Sequence, residues 1–206
     1  MSSLIKHADG SRKIVVMTIA EYQQWLIDQA FNVKTWLDAH AFEAKDQVAI
    51  VIPGEDGDIA SVVFILENKN SFFAYAKVRS YLPKGDYVFE GINDEQYHHG
   101  AIAWALDDYQ FINKKDSRKN LVIHSELDHQ AISNYVDTHC FARDLINRPA
   151  NDLTPQSLAE EAKNLAEKFQ AQYREIIGEA LLEQNYPAIY AVGKASSVLP
   201  RLIDFS

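Results

Sequence analysis

Residues Phe141–Ala162 read FARDLINRPANDLTPQSLAEEA, and this stretch decides how the chain is organised. Just before and into it, Ile132, Tyr135, Val136, His139, Cys140 and Ile146 recur at three-and-four spacing, which predicts one buried face of a helix. That helix ends near Asn147. Pro149 disfavours α geometry at Arg148, and Asn151-Asp152 supplies side chains that bond their own backbone in turns. A second helix is expected at once: Thr154 is a good N-cap, Pro155 suits the first helical position, and Leu158, Ala162, Leu165 and Phe169 share a face. The stretch reads as helix, elbow, helix, a joint between two bodies.

Outward from the joint toward the N-terminus, short β-branched runs alternate with helical ones. Lys13–Thr18 is a strand, and Thr18 with Glu21 forms a capping box that opens a helix carrying Tyr22, Trp25 and Leu26. Another helical turn or two surrounds Trp36 and Leu37. Gln47–Ile52 and Ile59–Leu66 are apolar runs separated by Pro53-Gly54-Glu55-Asp56-Gly57, so a hairpin or neighbouring strands are expected. Phe72–Arg79 fits helix or strand, and Ser71 as an N-cap tilts it to helix. Leu82–Gly85 is a turn before a strand at Asp86–Glu90, and Asn93 with Gln96 makes a second capping box for a helix bearing Tyr97, Ala101, Trp104, Ala105 and Asp108. Asn120–His124 is the next strand, and the joint helix starts near Asp128. Such alternation favours helices packed on a mostly parallel or mixed sheet.

Composition narrows the function classes. With 47% hydrophobic and 24% charged residues the chain is ordinary globular material. A net charge of −9 argues against a nucleic-acid or anionic-membrane surface. The local basic run Lys114, Lys115, Arg118 and Lys119 lacks interleaved aromatics and reads as a solvated loop. The single cysteine, Cys140, sits on the helical stripe as a small hydrophobe. No signal-peptide core precedes Lys13 and no run reaches the ~18 apolar residues of a membrane span, so a reducing cytoplasmic location is expected.

The run Ala142-Arg143-Asp144-Leu145, followed by Asn147, Pro149, Asn151, Leu153 and Pro155, resembles the segment that opens the catalytic domain of the leucyl aminopeptidase (cytosol aminopeptidase) family of dinuclear-metal exopeptidases. Tyr186–Ser196 and Pro200-Arg201-Leu202-Ile203 are similar to the next stretch of that family's catalytic domain, at similar distance. Specific likeness covers roughly residues 130–206, whereas the first 125 match in element order alone. The resemblance implies an α/β fold in three parts: a mixed-sheet, macro-like N-terminal domain over residues 1–125, a connector helix over 126–148, and the opening of a second α/β catalytic domain over 149–206. Arg174–Ile177 is a short strand, Ala180–Ala191 fits helix or strand with the family pattern favouring helix at its start, and Leu202–Phe205 is a strand. The chain stops in that apolar run without a cap, so truncation is expected. For the intact protein the resemblance implies release of N-terminal, leucine-type residues from peptides, two divalent ions (Zn or Mn), a homohexamer and a cytoplasmic home.

Within this chain no catalytic, cofactor-binding or metal residue is expected. The family's metal ligands lie on a Val-Gly-Lys-Gly-type motif and an Asn-Thr-Asp-Ala-Glu-Gly-Arg motif, and neither occurs here. Ala191-Val192-Gly193-Lys194 imitates the first, but Ala195-Ser196 comes next, so Lys194 reads as part of a non-ligand loop. His98-His99 diverge by about 100° on a helix and do not converge on one ion. His124, Glu126, Asp128 and His129 are the densest set of donors, but they span a strand end, a turn and a helix start, where carboxylates cap. Ser196-Ser197 has no catalytic neighbours. Arg143, Asp144 and Asn147 share the joint, either as a buried supporting network or as a surface ion pair and helix end. A second class of function is a ligand-binding module: macro-like domains include binders of ADP-ribose, although no Gly-rich phosphate loop is present and fold does not carry function.

Overall fold

The computed structural model describes residues 3–6, 8–54, 57–112, 118–124 and 126–206, which leaves Glu55, Asp56, Lys114 and Lys115 of the turn and the basic run outside the described residues. The chain divides into two compact units, Met1–Ala142 and Arg143–Ser206. In the first, β1 (Leu4–Ile5) and β2 (Arg12–Met17) precede α1 (Ile19–Ile27) and α2 (Phe31–Ala39). Then come β3 (Val48–Pro53), β4 (Ile59–Ile65), a 3₁₀ helix (Phe72–Tyr81), β5 (Gly85–Glu90), α3 (Asp94–Asp107) and β6 (Lys119–Val122). Helix α4 (His129–Asn147) is next, its residues up to Ala142 belonging to this unit.

Six strands form one mixed sheet in the order β1-β6-β5-β2-β4-β3, all neighbours parallel except the β3–β4 pair. The expected hairpin is there, Val48 opposite Ile65, and its register shifts at Ile52/Pro53 where proline has no N–H for the ladder. Strand β1 carried no sequence signal because two residues are too few for a period. Side chains alternate across the sheet. Ile14, Val16, Val62 and Phe64 face a layer made by the 3₁₀ helix, α3 and α4, where Tyr75, Trp104 and Ile132 are fully buried. Met17, Val63 and Ile65 face Tyr22 and Leu37 of α1 and α2. Cys140 packs half-buried against the first layer, as a small hydrophobe would.

Both capping boxes form. Thr18 Oγ1 accepts the Glu21 N–H at 3.2 Å while Glu21 accepts the Thr18 N–H at 2.7 Å, and Asn93 and Gln96 do the same for α3. The segment after Ser71 is helical but winds as 3₁₀, and the Ser71 side chain does not cap it. Its apolar positions Phe72, Tyr75 and Val78 recur every three residues, the 3₁₀ period, and so stack into one ridge against the core.

One buried charge ties this layer together. Arg79 is 4% exposed; Nη1 donates to the Trp104 carbonyl at 3.0 Å and Nη2 lies 2.5 Å from Asp108 Oδ1, with Asp107 Oδ2 at 3.5 Å from Nη1. Its guanidinium also stands 5.3 Å from the Trp104 ring centroid. Two carboxylates at the negative end of α3 would be unfavourable alone, and Arg79 offsets them.

In the second unit α5 (Pro155–Phe169) packs on an antiparallel pair, β7 (Tyr173–Ile177) and β8 (Arg201–Phe205), joined through short helices α6 (Ala180–Glu183) and α7 (Pro187–Gly193). Residues 180–191 are thus helical, interrupted before Pro187. The buried face of α5 is not the expected one. Ala159 and Ala166 are buried while Leu158 and Phe169 are 41% and 67% exposed. Small residues at i and i+7 let the helix come close to the two strands, which turns the larger side chains outward. On α4, likewise, Ile132 and Val136 are buried but Tyr135 and Ile146 are exposed.

Arg79→Met should lower the stability of the chain by about 3 kcal/mol, because Asp108 loses its cation in a largely buried place. Denaturant unfolding monitored by tryptophan fluorescence would check it; a loss under about 0.5 kcal/mol would mean that the pair contributes little.

Candidate functional site

Three places could hold chemistry, and each resolves into local structure. At the start of α4, Asp128 Oδ1 accepts the Ala131 N–H at 2.9 Å and His129 Nε2 donates to the His124 carbonyl at 2.9 Å. The His124 ring lies against Tyr97 at 4.2 Å, and Glu126 is exposed. Asp128 thus caps the helix start, and His129 closes it onto the strand end at His124. Burial pushes the Tyr97 hydroxyl up to about 12, so it stays protonated as donor to the Val122 carbonyl. On α3, the rings of His98 and His99 stand 6.3 Å apart at 72°, and His99 lies 5.3 Å from Phe72, its buried Nδ1 without a hydrogen-bond partner among the described residues. Among the described residues no three His, Cys, Asp or Glu side chains come together as a group able to hold a metal ion.

The second place is the elbow. Asp152 and Leu153 both donate to the Pro149 carbonyl at 2.9 Å, and Ser157 Oγ donates to the Asp152 carbonyl at 2.8 Å. Arg148 then locks the turn to α5, with Nη1 2.7 Å from Glu161 Oε1 and Nη2 3.3 Å from the Asp152 carbonyl. Sequence reasoning passed over Arg148; the signal was a cation placed before proline and followed, two turns into the next helix, by a carboxylate. Arg143 and Asp144 are half-buried in the last turns of α4, and Asn147 is exposed.

The Val-Gly-Lys loop is the third. Lys194 is exposed and its N–H donates to the Tyr190 carbonyl, ending α7. Ser196 Oγ accepts the Val198 N–H at 3.1 Å in a turn, while Ser197 is exposed. Gly193 lies against Pro200, and a Cβ there would run into the proline ring. Arg201, next to it, is 2.5 Å from Glu175 across the β7–β8 pair. Burial, and then the neighbouring Glu175 carboxylate, raises the Tyr173 hydroxyl. Packing thus accounts for the glycine of this loop, while its lysine and serines are exposed.

Comparison with known proteins finds two family matches along the chain. Residues 13–124 match the family model described as M17 aminopeptidase, N-terminal domain, and residues 140–206 match that described as cytosol aminopeptidase family, catalytic domain. A probable cytosol aminopeptidase of Clostridium perfringens is 40% identical over 67 residues, 32% of this chain and 14% of that protein. Its counterpart in Aquifex aeolicus is 39% identical over 69 residues, 34% of this chain and 14% of the relative. Among solved structures, the cytosol aminopeptidase of Coxiella burnetii superposes with a TM-score of 0.90 at 27% identity, over 98% of this chain and 46% of that one. The bottromycin maturation enzyme BotP in complex with Mn shares the fold, with a TM-score of 0.68 at 21% identity over 95% of this chain and 44% of that one. The chain therefore spans less than half the length of these solved structures.

Gly193→Ala should cost about 2 kcal/mol by overpacking against Pro200, whereas Lys194→Ala should stay within about 0.5 kcal/mol of the parent. Thermal unfolding of both variants checks this, and a larger loss from the lysine change would contradict it.

Proposed function

Because this chain belongs to the M17, cytosol aminopeptidase, family, we propose that it is the N-terminal portion of a metal-dependent aminopeptidase that releases N-terminal, leucine-type residues from peptides. The observation that carries this reading is the order of the two family matches: an N-terminal-domain match over residues 13–124 is followed by a catalytic-domain match that begins at residue 140, within the helix that leads to the elbow. Two divalent ions, Zn or Mn, would polarise the scissile carbonyl and supply the attacking hydroxide in the intact enzyme. The described residues do not fit them. Among the described residues no three His, Cys, Asp or Glu side chains converge, and Lys194 is exposed in a loop whose glycine is held against Pro200. In this proposal the part of this chain is to fold, position the remainder of the catalytic domain and contribute to subunit contacts, with no step of the hydrolysis assigned to it.

A cytoplasmic homohexamer acting on peptides, without nucleic acid or membrane, completes the proposal. The net charge of −9 supports leaving out nucleic acid, and among the described residues no helix is long and apolar enough to cross a membrane. Large apolar side chains of the second unit are exposed, Val192 at 89% and Ile146 at 81% foremost, which suits a surface that more protein covers.

The 206-residue chain and the same protein extended along its reading frame should be compared for leucyl-anilide hydrolysis and bound metal. Only the extended form should cleave, holding about two ions per subunit. Cleavage or stoichiometric metal in the short chain would overturn the assignment of its role.

A further inference from the structure

In open sheets of parallel strands, ligands enter outside the carboxyl ends, where successive connections leave to opposite sides. In the first unit that point is the end of β2, which has β4 on one side and β5 on the other. Helix α1 starts there, and its free N–H groups would be the place for a phosphate. The chain has filled it. Glu67 Oε1 accepts the Ile19 N–H at 2.6 Å, and Glu21 Oε2 accepts that of Thr18 at 2.7 Å. Two carboxylates thus stand where an anion would have to bind.

Lys69 makes this arrangement hold. Its side chain is 15% exposed, and Nζ donates to Glu21 Oε1 at 3.0 Å and to the Gly91 carbonyl at 2.9 Å. One ammonium therefore spans from α1 to the turn between β5 and α3. Gly91 has a φ of +81°, and a Cβ there would lie 2.5 Å from the Val16 carbonyl oxygen, so only glycine lets this turn press against β2. The neighbouring residues fasten the rest: Tyr75 Oη donates to the Lys69 carbonyl at 2.7 Å, Asn70 Oδ1 accepts from Gln96 Nε2 at 3.0 Å, and the Glu67 N–H goes to Asp46 Oδ1 at 2.9 Å. Glu21 in turn has its carboxyl held below the ordinary value, chiefly by the hydrogen bond from Lys69.

We infer that segment 67–70 is a built-in occupant of the sheet's carboxyl-end crevice, with Lys69 as an ionic strap, so that this unit is a fastened scaffold and takes no anionic nucleotide there. The inference stands on this geometry and not on the aminopeptidase reading.

Three measurements on the 206-residue chain test it. Lys69→Met should speed amide exchange at Thr18 and Ile19 by about tenfold while the β4 amides hold, and should lower the thermal midpoint by roughly 4 °C. Glu21→Gln, which keeps the shape and removes the charge, should act in the same direction, and the double variant should be no worse than Lys69→Met alone. Titration of the parent chain with ADP-ribose should release no heat. Unchanged exchange at Thr18 and Ile19, strictly additive variants, or saturable heat with ADP-ribose would each overturn the strap.

Discussion

A sheet of parallel strands must be covered on both faces, and the first unit is built around that requirement. Its β2 and β4 strands send Ile14, Val16, Val62 and Phe64 one way and Met17, Val63 and Ile65 the other. Neither face can be left to water. Two helices close one side, and the 3₁₀ helix with α3 and α4 closes the other. The polar ties are consequences of this covering: Arg79 joins two elements of one layer beneath Trp104, and Lys69 joins the junctions at the strand ends.

Much of this was legible from residues alone. β-branched runs located the strands, and the pairs Thr18/Glu21 and Asn93/Gln96 marked helix starts because a capping box is a local device that needs no partner elsewhere. Nonlocal features escaped. Phe72–Arg79 gave no clean period of 3.6 because it winds in threes, and β1 is too short to have a period at all. Nothing local singles out Arg79; its clue was Asp107-Asp108 placed at the unfavourable end of a helix. On α5 the expected face was the one with the largest side chains, yet close approach to two strands selected Ala159 and Ala166.

The same distinction governs the functional reading. Residues around the joint carried a specific resemblance, and both the family models and the Coxiella burnetii structure agree with it. The histidine and carboxylate clusters, by contrast, could be weighed only once their partners were visible. His129 and Asp128 spend their polar atoms on the backbone of the α4 start, and Gly193 is needed by Pro200.

The placement of the aromatic core has an optical consequence. Trp25, Trp36 and Trp104 are the chain's three tryptophans, and all fall within Met1–Ala142, while Arg143–Ser206 contains tyrosines without any indole. Trp104 is fully buried, 6.0 Å from the rings of both Tyr87 and Phe89. Emission excited at the red edge of the indole band therefore reports on the first unit alone. A melt that is cooperative in that emission but biphasic in far-ultraviolet dichroism would reveal the two units coming apart separately, with no label attached to either.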